Sequence, residues 1–220
     1  MRTKILLSAA AALAAGVVAS NAQVYSANVV GYANVVFAGA GGYTLVANPF
    51  DDGNGNQLTN LVNSLPNKSS VLTWNGSGFN TAIGKAGGVW SGTATLAPGA
   101  GFFVKNGVAA SPPITNTFVG SVIVNSGGSV TNTLPAGYSL VGSPIPYTGD
   151  VTTDTANIAL TQVLANKSQL LDWNSGSQGY DTAVGKAGGA WSSTFPITVG
   201  EGFFIKAQNA GSNWVQTANF

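Results

Sequence analysis

The chain has 220 residues, eight basic and seven acidic, with no histidine and no cysteine. Those absences exclude Ser-His-Asp and Cys-His nucleophilic centres, the commonest zinc ligands and any disulfide scaffold. Only 7% of residues are charged, against a usual quarter, which leaves no basic stripe for nucleic acid; yet the apolar content is too high for a disordered chain.

Residues 1–22 read as a secretory signal peptide. Arg2 and Lys4 precede an apolar run over 5–18, and Ser20-Asn21-Ala22 supplies the small residues of a cleavage site. The run is too short for a spanning helix, and no later segment suggests an integral membrane segment in the mature chain. Without Arg2 and Lys4, six basic residues face seven acidic ones, a net charge of −1. An exported chain without cysteine points to a bacterial product, extracellular, on the cell surface or periplasmic.

The remaining residues repeat. Gly42-Tyr43-Thr44-Leu45-Val46 returns as Gly137-Tyr138-Ser139-Leu140-Val141, and Asn67-Lys68-Ser69 returns as Asn166-Lys167-Ser168. The run 81–91 returns almost unchanged as 182–192, and Gly101-Phe102-Phe103-Val104-Lys105 as Gly202-Phe203-Phe204-Ile205-Lys206. All six lysines of the mature chain fall into matched pairs: 68/167, 85/186 and 105/206. Self-similarity of this kind divides the chain into unit one, 23–114, and unit two, 115–220.

Within unit one, residues 43–48 predict a strand halted by Pro49, and 71–74 and 79–83 a hairpin around an Asn-Gly-Ser-Gly loop. In unit two that loop is two residues longer; two is the side-chain period of a strand, so Tyr180 keeps the face of Phe79. Further strands are expected over 90–96 and 102–105. Leu58, Leu61, Val62 and Leu65 are spaced for a short helix closed by Pro66, and Ala156, Leu160, Val163 and Leu164 for its counterpart, capped by Asp154 or Thr155. Similar strands recur at 29–35, 118–124 and 214–220. The fold class is therefore all-β: two tandem sandwich-like units from an internal duplication, each with one short helix.

The motifs Gly-Tyr-x-Leu-Val-x-x-Pro, Trp-Asn-x-Ser and Pro-Gly-x-Gly-Phe-Phe-Val-Lys, spread over 24–220, resemble a loosely defined group of bacterial secreted proteins with a β-sandwich-like unit. That resemblance implies a surface location and a non-catalytic module, and carries over no functional residue. Unit two departs from it at Thr198-Val199, where unit one has Ala97-Pro98.

Four features bear on chemistry. Asp172 and Asp181 flank the second hairpin, but their counterparts are Thr73 and Asn80, and turn residues explain them better than a carboxylate pair. Asp51, Asp52 and Asn54 are oxygen-rich enough to suggest calcium, yet lack a closing bidentate glutamate; an Asx-rich turn serves as well. Gly84-Lys85-Ala86-Gly87-Gly88 lacks the spacing of a phosphate loop and reads as a tight turn. Trp74, Trp90, Trp173 and Trp191, with Phe79 and Tyr180, are candidates for a sugar-stacking platform, weighed against core packing.

No catalytic residue is identified, no cofactor beyond the calcium candidate is implied, and the chain is expected not to be an enzyme. The leading expectation is a secreted or cell-surface structural or interaction module. Its candidate partners are a second copy of itself, through edge-strand pairing at the C-terminus, or a surface polysaccharide. A carbohydrate-binding module is the alternative. A small outer-membrane barrel, prompted by alternation towards Phe220, is disfavoured by the frequent Gly and Pro interruptions.

Overall fold

A computed structural model describes residues 30–39, 41–107 and 112–218. The expected signal peptide, the first residue of the 29–35 strand and Phe220 lie outside the described residues. Where described, nearly all the regular structure is strand, as the alternation predicts.

Unit one opens with β1 (Val30–Phe37) and β2 (Tyr43–Ala47), followed by one four-residue helix, α1 (Leu58–Leu61). Then come β3 (Ser70–Thr73), β4 (Ile83–Ala86), β5 (Val89–Trp90), β6 (Gly101–Lys105) and β7 (Ile114–Ser121). The sheet order is β2-β6-β3-β4-β5, while β1 and β7 form a separate antiparallel ribbon of eight residue pairs. β7, which the sequence division at 114/115 places in unit two, thus completes unit one.

Unit two repeats the plan. Its strands are β8 (Ser129–Leu134), β9 (Gly137–Gly142), β10 (Gly149–Asp150), β11 (Gln169–Leu171), β12 (Trp173–Asn174) and β13 (Gly179–Tyr180). They continue with β14 (Val184–Ala187), β15 (Ala190–Trp191), β16 (Pro196–Ile197), β17 (Gly202–Ala207) and β18 (Ser212–Thr217). The five-stranded sheet runs β9-β17-β11-β14-β15, and β8 pairs with β18 as the matching ribbon. The C-terminal strand is thereby engaged within its own unit.

Two adjacent phenylalanines show how the sequence builds this. Successive strand residues point to opposite faces, so on β6 Phe102 and Val104 enter the core of unit one while Phe103 and Lys105 face the other way. Phe203 and Ile205 on β17 do the same in unit two. The inner core of each unit fills the space between sheet and ribbon. Phe37, Phe118, Leu58 and Leu96 lie there in unit one, and Trp214, Leu134, Ile158 and Ile197 in unit two, all buried.

Two expectations are corrected. The second helix does not form: residues 151–164 are turns. Asp154 does accept the Asn157 N–H at 3.2 Å, as a cap would. However, Asp150 Oδ1 takes the N–H groups of Thr152 (2.7 Å) and Thr153 (3.1 Å), and Leu160 N bonds Val151 O at 2.7 Å, folding the segment back before a helix can propagate. The strand expected over 90–96 stops at Trp90. Beyond it, Leu96 N bonds Asn56 O and Leu58 N bonds Ala94 O, so this stretch pairs with the loop before α1 instead of the sheet.

Candidate functional site

The outward faces of the two sheets meet, and the contact is reciprocal. Ala47 N donates to Gly200 O at 2.9 Å, and Gly142 N donates to Gly99 O at 3.0 Å. Val46 bridges Glu201, and Ala100 bridges Val141. Because Ala47 and Gly142 are repeat counterparts, as are Gly99 and Gly200, each bond is the image of the other about a pseudo-twofold axis. The backbones approach closely enough to require glycine: a Cβ at Gly101 would lie 2.9 Å from Leu140 C and Val141 N, and one at Gly202 2.5 Å from Val46 O.

This seam has its own core, separate from those inside the units. Leu45, Phe103, Leu140 and Phe204 are buried in it, with Tyr43, Leu72, Trp74, Leu171 and Trp173 packed around them. The rings meet edge to face. Trp74 lies 5.2 Å from Phe204 at 86°, and Trp173 5.1 Å from Phe103 at 88°. Such pairs are worth about 0.5–1.5 kcal/mol beyond their burial.

The longer hairpin loop of unit two behaves as its even length demands. Phe79 stands opposite Trp74 and Tyr180 opposite Trp173, each ring pair 5.1 Å apart. The two extra residues have a further effect, carrying Gln178 to unit one, where its Oε1 accepts from Tyr43 N at 2.7 Å.

Around this cluster lie two cavities of about 300 and 270 Å³. The first is lined by Trp74, Phe79, Tyr138, Leu171, Tyr180 and Phe204. The second is lined by Trp173, Tyr180, Tyr43, Leu72, Phe79 and Phe103, the repeat counterpart of each residue in turn. Phe79 (41% exposed) and Tyr180 (46%) stand between them.

Of the six aromatic candidates, Trp74, Phe79, Trp173 and Tyr180 thus come together in the seam. Their rings are steeply inclined to one another and form pockets, not a row of coplanar faces. Trp90 and Trp191 lie elsewhere, packed beneath Lys85 and Lys186 (5.5 and 5.8 Å), with their indole N–H groups buried and unpartnered. Phe103, Phe204, Tyr43 and Tyr138 were not among the candidates. The duplicated Gly-Phe-Phe and Gly-Tyr motifs were their only signal, and those motifs equally suit an ordinary core.

The matched lysines are explained by structure. Lys85 Nζ reaches the carbonyls of Asn63 (2.6 Å) and Leu65 (2.9 Å), plugging the turn after α1, and Lys186 does the same for Thr161 and Leu164. Burial holds the Lys186 ammonium below its usual range. Lys68 and Lys167 share a left-handed backbone, with φ of 70° and 73°. Lys105 and Lys206 lie 5.4 Å over Tyr43 and Tyr138. The Gly87-Gly88 pair, with φ of 59° and 81°, is the tight turn joining β4 to β5.

Asp51 Oδ1 accepts from Gly53 N and Asn56 Nδ2, and Asp52 Oδ1 from Asn54 N and Asn56 N, an Asx-rich turn. Among the described residues, no group of three or more His, Cys, Asp or Glu side chains could hold a metal. Asp172 and Asp181 are neighbours across the second hairpin, where Asp181 N bonds Asp172 O at 3.1 Å. Burial, then repulsion from Glu201 and Asp181, pushes the Asp172 carboxyl up to about 6. It lines a hollow of about 240 Å³ with Glu201, Thr44 and Trp173.

Among the described residues no helix is long and apolar enough to cross a membrane. Among the described residues the longest strands have eight residues and every sheet is open, unlike the closed sheet of about ten-residue strands in a membrane barrel. Compared with protein-family models, curated proteins and solved structures, the chain finds no match.

Proposed function

We propose that the chain is an exported, non-catalytic structural or interaction module that associates with copies of itself through the outer face of the β1–β7 ribbon. One observation carries this reading. Val30, Tyr32, Val36 and Val119 are 69%, 75%, 58% and 55% exposed on that face, with Tyr32 directly opposite Val119. Neither strand contains a charged residue. Exposed sheet surfaces are ordinarily protected by charge or cover, and this one has no such charge. The matching ribbon of unit two turns Thr131, Thr133 and Asn213 outward, with Val215 as its exposed large apolar residue.

The proposed self-association therefore uses the ribbon face. The C-terminal strand offers less: β18 bonds β8 along one edge over six residue pairs, and its ribbon presents Val215 as its exposed large apolar residue. The test is light scattering on the exported protein over a wide concentration range. Mass should rise with concentration, and Tyr32→Lys with Val119→Lys should hold the chain monomeric without altering its circular dichroism. A monomer at every concentration in the unsubstituted protein would remove the self-association reading.

A further inference from the structure

The twin cavities of the seam offer a surface distinct from the ribbon. The geometry points to a docking site there for an extended acidic peptide segment. Two of its apolar side chains enter the paired cavities, and its flanking carboxylates meet Lys105 and Lys206.

Three features select this occupant. First, every lining residue is aromatic or leucine, and the indole N–H groups of Trp74 and Trp173 are already bonded to the carbonyls of Tyr138 and Tyr43, both at 3.0 Å. A pyranose ring placed inside would find only the hydroxyls of Tyr43, Tyr138 and Tyr180 among the lining side chains, too few for its own several hydroxyls, and leaving the rest unpaired is costly. An apolar side chain has none to satisfy. Second, the cavities are near-equal images, parted only by Phe79 and Tyr180, so they suit two similar groups in succession. An extended peptide supplies these at alternate residues, about 7 Å apart on one face.

The third feature is charge. Lys105 follows Phe103 by two residues on β6, and Lys206 follows Phe204 by two on β17, so each lysine shares a sheet face with the ring lining its cavity. Tyr43 and Tyr138 belong to one cavity each, so each cavity has one ammonium group over a ring of its wall. No carboxylate pairs with either lysine among the described residues. Asp172 and Glu201 line a separate hollow that shares Trp173 with the groove.

The probe is a capped pentapeptide, glutamate-phenylalanine-threonine-phenylalanine-glutamate, titrated into the exported protein and followed by the indole N–H resonances. Saturable shifts of Trp74 and Trp173 are expected, with Trp214 unmoved. Lys105→Gln with Lys206→Gln, which leaves the aromatic core intact, should weaken binding about tenfold and abolish its salt dependence. Phe79→Ala with Tyr180→Ala should remove binding while the thermal transition persists. The proposal is overturned if no shift appears at millimolar peptide, or if a lysine-flanked version binds as well. It is equally overturned if cellohexaose or a galacturonate hexamer saturates the groove and the peptide does not. None of these outcomes depends on self-association through the ribbon, which the lysine variants leave untouched.

Discussion

Trp74 and Tyr138, 64 residues apart, are joined by a 3.0 Å hydrogen bond from the indole N–H to the main-chain carbonyl, and Trp173 makes the same bond to Tyr43. Trp74→Phe or Trp173→Phe keeps an aromatic ring but removes one donor from a seam carbonyl, with Tyr43 O retaining the bond from Gln178 Nε2 at 3.0 Å. Each should cost about 1–2 kcal/mol in urea unfolding followed by near-ultraviolet circular dichroism. Because the units share this core, the unsubstituted protein should unfold in one transition. Two separate transitions would show that the seam does not couple the units.

The buried lysines provide a second test. Lys85→Met keeps the aliphatic stem over Trp90 but orphans the carbonyls of Asn63 and Leu65. A loss of about 1.5–3 kcal/mol is expected, the range for hydrogen bonds to a charged group. Lys68→Met, at a turn with no comparable ammonium contacts, should change stability far less in the same denaturation assay.

Asp172 gives the protein a signature in pH. Its folded carboxyl titrates at about 6, well above the ordinary value of 3.8, so between those values the folded state binds the proton more tightly than the unfolded one. Stability from this group is therefore fully present below about pH 4 and lost as pH rises through 6. Allowing for solvent screening of a half-exposed group, the contribution is about 1 kcal/mol. Denaturant midpoints should rise from pH 7.5 to pH 5 in the unsubstituted protein and stay flatter in Asp172→Asn.

Glycine tolerance should divide by position. Gly202→Ala forces a methyl against Val46 O at 2.5 Å and should lower stability by about 2 kcal/mol or more. Gly84→Ala meets nothing within 4 Å and has no left-handed backbone to lose. It should stay within about 0.5 kcal/mol. Thermal melts of the two variants side by side make the comparison.

The duplication, the strand character and the face kept by Tyr180 were legible because they follow from local repetition and a period of two. The second helix was misread because Leu160, Val163 and Leu164 carry helical spacing while Asp150 captures the backbone N–H groups needed earlier in the segment. Periodicity does not register that competition. The strand after Trp90 failed for a similar reason: its backbone partners are Asn56 and Leu58, more than thirty residues away. The seam was hidden altogether, since nothing local distinguishes Phe103, facing the other unit, from Phe102, facing its own.

The reciprocal seam also means that each unit carries a patch complementary to its own image, the isologous pattern of a twofold homodimer. Covalent linkage turns such an association from a concentration-dependent event into one governed by an effective concentration near the millimolar range. Strict symmetry is then no longer obligatory, because each copy of a position meets only one partner. Asp172 and Glu201, standing where the first copy has Thr73 and Ala100, occupy that freedom. In an unfused pair both would be doubled about the axis, bringing four carboxylates to one seam; in the single chain they occur once.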